Sequence, residues 1–197
     1  TNGVNAASAD YGRELVRAGL TDVRLMLLST RPDTYERIAG DASACELAWR
    51  GGRELQRAGA TVSVVIPVCQ ANVTELSELI DGVSERLPEV TTVTFRTVFF
   101  SVPDHEGPHA DDIRARAAQE MVSLDVLAPA LTAAIERAHA AELEVHVDAP
   151  DGLPLCALRD SVPALAAVRP PRHSRADRRD ACLNCAMRER CGGQGPM

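Results

Sequence analysis

Arg13-Glu14-Leu15-Val16-Arg17-Ala18-Gly19-Leu20 returns as Arg53-Glu54-Leu55-Gln56-Arg57-Ala58-Gly59-Ala60, and each copy runs straight into an apolar stretch. In both copies apolar residues recur at helical spacing, a glycine stops the helix by taking the left-handed conformation, and β-rich sequence begins within a few positions. A weaker third copy ends at Ala140-Ala141-Glu142 and leads into residues 143–147. The repeated unit is a helix, a stop and a strand.

Working outward from the repeat, strands are expected at residues 23–29, 62–68, 92–100 and 143–148. Helices are expected at residues 8–18, 44–57, 73–87 and 111–141, the last broken around Pro129. The strands are apolar without clean alternation, which suits a sheet covered on both faces. Short connections between alternating elements imply parallel strands with right-handed crossovers, hence an α/β fold built as a barrel or part of one. Four strands do not close a barrel. Thr1-Asn2-Gly3 reads like the end of a further strand, so residues 1–149 are expected to be the C-terminal part of a partial (β/α) barrel whose earlier half is missing. From Pro150 onward the periodicity fades, prolines accumulate, and residues 150–197 form a cysteine-rich module of their own.

A chain of 197 residues can bury a hydrophobic core without covalent staples. Its six cysteines are therefore not needed to hold a small fold together. No apolar run approaches the ~20 residues of a membrane helix, and no secretory leader is visible, so a cytoplasmic, reducing setting is expected. There, cysteines serve as ligands or inert thiols rather than disulfides. The 21 basic residues are all arginine, and the formal net charge of -7 argues against a nucleic-acid surface spread over the chain.

Cys182-x2-Cys185-x5-Cys191, followed directly by Gly192-Gly193, is the most specific motif. A two-residue gap lets two sulfurs face one ion or cluster, and the glycines let backbone amides approach the sulfurs. Cys156, just beyond Pro154, supplies a fourth thiolate. Four thiolates suit tetrahedral zinc or a 4Fe-4S cluster equally, and a redox dithiol is the third use of such spacing. Cys45 and Cys69 have no spaced partners and read as small buried residues.

Together these stretches resemble the radical S-adenosylmethionine enzymes that carry an auxiliary-cluster extension of the SPASM or twitch kind. Thr1-Asn2-Gly3 is similar to the end of the third barrel strand in that family. Residues 15–20 with 23–29 resemble the next helix and fourth strand. Arg31-Pro32-Asp33-Thr34-Tyr35-Glu36-Arg37-Ile38-Ala39-Gly40 resembles the segment that follows it, and residues 55–68 with Asn72 and Glu75 resemble the fifth strand and the start of its helix. The resemblance implies an auxiliary 4Fe-4S cluster on Cys156, Cys182, Cys185 and Cys191, and S-adenosylmethionine facing Thr1, Asn2 and Ser29. It also implies an intact enzyme that generates a 5′-deoxyadenosyl radical to modify a substrate, often a peptide. The family's Cys-x3-Cys-x2-Cys loop, which binds the catalytic cluster, is absent from these residues, as is the glycine-rich strand that meets the methionine amino group. The fourth strand ends in Met26-Leu27-Leu28 where the family offers a polar Ser-x-Asp ending, which leaves Ser29 as the nearest hydroxyl. The SPASM pattern's further cysteine after the central run is also missing.

Two readings from other classes compete. One is a binding protein in which the four cysteines form a structural zinc tail. The other is an aldolase-like enzyme that works through Asp104, His105, Glu106, His109, Asp111 and Asp112, a loop after the third strand where barrel chemistry gathers. Gly107-Pro108 rules out a helical His-x3-His geometry there, and Asp111-Asp112 reads well as a helix N-terminal charge pair. His146, inside an apolar strand near Asp148, either faces a barrel lumen or is an ordinary sheet residue. The basic stretch Arg169, Arg172, His173, Arg175, Arg178 and Arg179 reads as a solvated linker between ligands, and Trp49 as packing.

Overall fold

Three helix stops of one geometry set the architecture. In the computed structural model, which describes residues 1–97, 111–112, 115, 119–149, 153–158, 161–168, 182, 185 and 191, Gly19 and Gly59 have φ of 101° and 98°. Glu142 takes the same left-handed region at 59°. The amides of Leu20, Ala60 and Leu143 reach back to the carbonyls of Leu15, Leu55 and Ala138, each at 3.0 Å. Those of Gly19, Gly59 and Glu142 bond Val16, Gln56 and His139 at 2.9, 2.8 and 3.1 Å. This pair of bonds satisfies the last helical carbonyls and turns the chain toward a strand.

The helices so ended are α1 (Ala9–Arg17), α3 (Ala44–Arg57) and α5 (Leu124–Ala140). They lead into β1 (Asp22–Met26), β2 (Thr61–Val68) and β4 (Glu144–Asp148). Between β1 and α3 lies α2 (Pro32–Ala39); α4 (Leu76–Arg86) precedes β3 (Thr92–Thr97). All the strands among the described residues are parallel and pair in chain order, β1-β2-β3-β4. The architecture is thus α/β, a four-stranded parallel sheet alternating with helices.

Both outer strands accept one further residue. The amino nitrogen of Thr1 donates to the Arg24 carbonyl at 3.0 Å, and the Met26 amide donates to the Thr1 carbonyl at 2.8 Å. This is the exchange that one residue makes across a parallel ladder. On the far side, Val168 bridges Val147 in the parallel sense, just after α6 (Val162–Ala167).

The expectation of a sheet covered on both faces is corrected. Burial alternates along β1 and β2, with Val23, Leu25, Val62, Val64, Ile66 and Val68 buried while their neighbours are not. In register, Leu25, Val64, Val93 and Val145 form one row of the helix-covered face, and Ile66, Phe95 and Val147 continue it. The other face carries Met26, Val65, Thr94 and His146 in one row and Pro67, Arg96 and Asp148 in the next. Met26 is 40% exposed, Arg96 pairs with Asp148 at 2.8 Å, and His146 lies 3.2 Å from Glu144. Apolar residues at Met26 and Val65 blur the alternation in sequence; the pleat restores it.

Other boundaries move for local reasons. The helix α2 was not anticipated; Pro32 at its first turn and Gly40 at its end, with φ of 78°, delimit it. The expected break at Pro129 falls instead at residues 121–123. Ser123, extended, accepts the Val126 and Leu127 amides through its carbonyl at 3.1 and 2.8 Å and starts α5 afresh. Pro129 sits inside α5, where it removes a single amide from the helical ladder. The expected helix over 73–87 opens with a 3-10 turn, Val73–Glu75. The core also continues past residue 149, for Leu153, Leu155, Leu158, Ala164, Ala167 and Val168 join the same buried cluster.

Candidate functional site

The chain leaves β1 through Leu27, Leu28 and Ser29 and leaves β2 through Cys69, and buried polar side chains fasten these two strand ends together. Asn72 is fully buried. Its amide group donates to the Leu28 and Pro67 carbonyls, both at 2.8 Å, and its oxygen accepts the Cys69 amide at 2.9 Å. Three backbone groups that no strand pairs are thereby satisfied.

Beside Asn72, the carboxylate of Glu75 is 4% exposed. It accepts the hydroxyls of Ser29 and Thr34, the latter at 2.7 Å, and Arg31 stands 3.7 Å away. Ser29 and Thr34 are both wholly enclosed. Arg31 and Thr30 also bond Glu78, and these donors hold its carboxyl below the usual range. The Ser29 carbonyl accepts the Trp49 indole N–H at 3.1 Å, with the Cys45 sulfur 3.8 Å from the same oxygen. Trp49 is completely buried under the Arg86 guanidinium, so its packing role holds. Burial pushes the Cys45 thiol up to about 11 and raises that of Cys69. Both are enclosed, as expected for residues without spaced partners.

Ser29 therefore lies inside this clasp, with its hydroxyl committed to Glu75. Thr1 and Asn2 are exposed at the β1 edge, where their side-chain oxygens accept the Gly3 and Val4 amides at 3.3 and 3.2 Å. The segment is seated by a glycine doublet in α3. A Cβ on Gly51 would stand 1.9 Å from the Gly3 carbonyl oxygen, and one on Gly52 would stand 2.6 Å from Leu25. Gly3, with φ of 76°, faces the same constraint from Leu25 and Ala48. These glycines permit backbone-to-backbone contact. Nothing in sequence spacing announced that partnership, although two adjacent glycines inside a helix were a signal.

The four ligand candidates lie farther along the chain. Cys156 is exposed within the 3-10 turn Leu155–Leu158. Cys185 donates its amide to the Cys182 carbonyl at 3.3 Å. Cys191 is half-buried against the segment before Cys156. Its sulfur accepts the Leu155 amide at 3.4 Å, and its thiol is directed at the Leu153 carbonyl, 3.9 Å away. The last cysteine of the motif thus folds back onto the peptide beside Cys156. No cysteine among the described residues is disulfide-bonded. Among the described residues, no three His, Cys, Asp or Glu side chains form a group placed to hold a metal ion.

Asp111 and Asp112 are exposed helical residues, whereas Asp104, His105, Glu106 and His109 lie outside the described residues. So does the basic stretch from Arg169 to Arg179. No helix among the described residues is long and apolar enough to cross a membrane. Comparison with protein-family models and with curated proteins finds no match for this chain.

Proposed function

We propose that this chain belongs to a radical S-adenosylmethionine enzyme and contributes its auxiliary 4Fe-4S centre, held by Cys156, Cys182, Cys185 and Cys191. The observation that carries the reading is the return of Cys191 to the Leu153–Leu155 peptide, which draws the two ends of the ligand set together across more than thirty residues. An all-thiolate donor set fits an iron-sulfur centre. Metal binding would bring the Cys182 and Cys185 thiols to Cys191 and to the turn that carries Cys156, since such sites commonly assemble with their metal. A consecutive parallel α/β sheet is the setting the resemblance calls for.

The 197 residues contain no Cys-x3-Cys-x2-Cys loop, so the part assigned to them is the auxiliary centre and a share of the barrel wall. When bound, the centre supplies one-electron redox capacity or an anchoring site beside the substrate, for which a peptide is the class implied. Thr1 and Asn2 remain accessible for S-adenosylmethionine at the β1 edge. Ser29 serves by shaping the loop through Glu75 instead of meeting the cofactor directly.

Purification without oxygen tests this. An iron-sulfur centre gives a brown protein absorbing near ~400 nm, with iron and sulfide in equal amounts. Replacing Cys182 and Cys185 together by Ser should abolish both. A colourless protein that carries stoichiometric zinc and takes up no iron and sulfide would establish the structural zinc tail instead.

A further inference from the structure

The outer edge of β1 is paired for one residue and then left open. Thr1 donates its nitrogen to the Arg24 carbonyl and accepts the Met26 amide, which sets it opposite Leu25. The inner side of β1 belongs to β2, through the Leu27 amide on the Val65 carbonyl and the Thr61 amide on the Thr21 carbonyl. The next rung on the outer side therefore consists of the Asp22 carbonyl and the Arg24 amide, one on each side of Val23. Among the described residues no strand lies there. A cavity of about 350 Å³ opens at the same place, and Tyr11, Leu15, Leu20, Val23 and Leu55 supply its apolar lining. Tyr11 is 43% exposed, and Leu15 and Leu20 are only half-buried. Large apolar side chains thus stay partly wet around a gap that begins where the ladder stops.

We infer that the outer edge of β1 seats a further parallel strand that leads directly into Thr1, with an apolar side chain at the second residue before Thr1 filling the cavity. Residues directly opposite each other in a parallel ladder share a face of the sheet. The residue opposite Val23 therefore turns its side chain to the helix-covered face, where the cavity lies, while its backbone donates to the Asp22 carbonyl and accepts the Arg24 amide. The residue between it and Thr1, opposite Arg24, turns to the open face. Attachment decides the occupant. A detached peptide would gain one rung and one buried side chain, too little against its lost freedom of motion, whereas a segment joined to the Thr1 nitrogen is already held at the edge. Such a strand also covers a row of unpaired backbone groups that would otherwise invite another chain. None of this depends on the cysteine motif.

Register supplies the test. The full chain is prepared with three short extensions ahead of Thr1, and hydrogen exchange at the Arg24 amide is followed in each. One extension carries valine at the second residue before Thr1, one carries it directly before Thr1, and the third is glycine and serine throughout. The first should slow exchange at Arg24 by roughly tenfold, and the other two should leave it fast. Equal exchange in the first and third chains would overturn the inference. Equal slowing by both valine extensions would overturn it too, since an apolar tail without register would then suffice. Sedimentation is measured alongside, and slowing confined to a dimer would assign the edge to a second copy of the chain instead.

Discussion

At the residue scale, enclosed titratable groups make a pH dependence. Burial pushes the Tyr35 phenol up to about 12, although its oxygen accepts the Leu28 amide at 3.2 Å, and burial pushes Cys45 up to about 11. Both groups are neutral when protonated and ionise less readily in the folded chain than in the unfolded one. Their contribution is therefore complete below the unfolded values, 9.0 for the thiol and 10.0 for the phenol, and is lost as pH rises through about 11 and about 12. Denaturant midpoints should stay level to about pH 9 and then fall steeply. Tyr35→Phe should lower the plateau, because the Leu28 amide loses its acceptor, and should flatten the upper part of the fall. A fall of unchanged steepness in that variant would dismiss the phenol as its source.

At the scale of elements, three copies of one helix stop differ in a single respect. Two place glycine in the left-handed position and the third places Glu142 there. A side chain in that conformation costs roughly 1–2 kcal/mol, so Glu142→Gly should raise the unfolding free energy by about 1 kcal/mol in urea melts. The opposite exchange inside α3 should behave otherwise. Gly51→Ala improves helix propensity by about 1 kcal/mol, yet its methyl would collide with the Gly3 carbonyl, and a net loss of roughly 1–3 kcal/mol is expected. A stabilised Gly51→Ala protein would show that the N-terminal segment yields easily.

The repeat at residues 13–20 and 53–60 made helix, stop and strand legible because each is local. Even the third copy could be read with Glu in place of Gly, since the helix and strand on either side carried the pattern. The polar clasp could not be read. Ser29, Asn72 and Glu75 are separated by as many as 46 residues, and their meeting follows from the parallel register of β1 and β2. Nor could the covered and open faces of the sheet be told apart, because Met26 and Val65 are apolar on the side where burial is incomplete. The cysteine motif was visible from its spacing, but the approach of Cys191 to Leu155 depends on how the chain returns after α6.

For the whole molecule, position in the sheet ranks stability. The strands β2 and β3 are paired on both sides and line the core through Val64, Ile66, Val93 and Phe95, whereas β1 and β4 each have one full neighbour. Amide exchange should be slowest in β2 and β3, approaching the global unfolding limit, and faster by at least tenfold at the Met26 amide, whose acceptor is the lone edge residue Thr1. Equal protection throughout would mean that the sheet opens only as one unit.

Strand order has a consequence for biosynthesis. Because every strand lies beside the one made just before it, the sheet can lengthen by one rung of β-structure each time a helix and its following strand clear the ribosome. Among the described residues no strand after the first has to wait for a partner still untranslated, whereas the Ser29 hydroxyl waits for Glu75 and the Leu155 amide for the sulfur of the final cysteine.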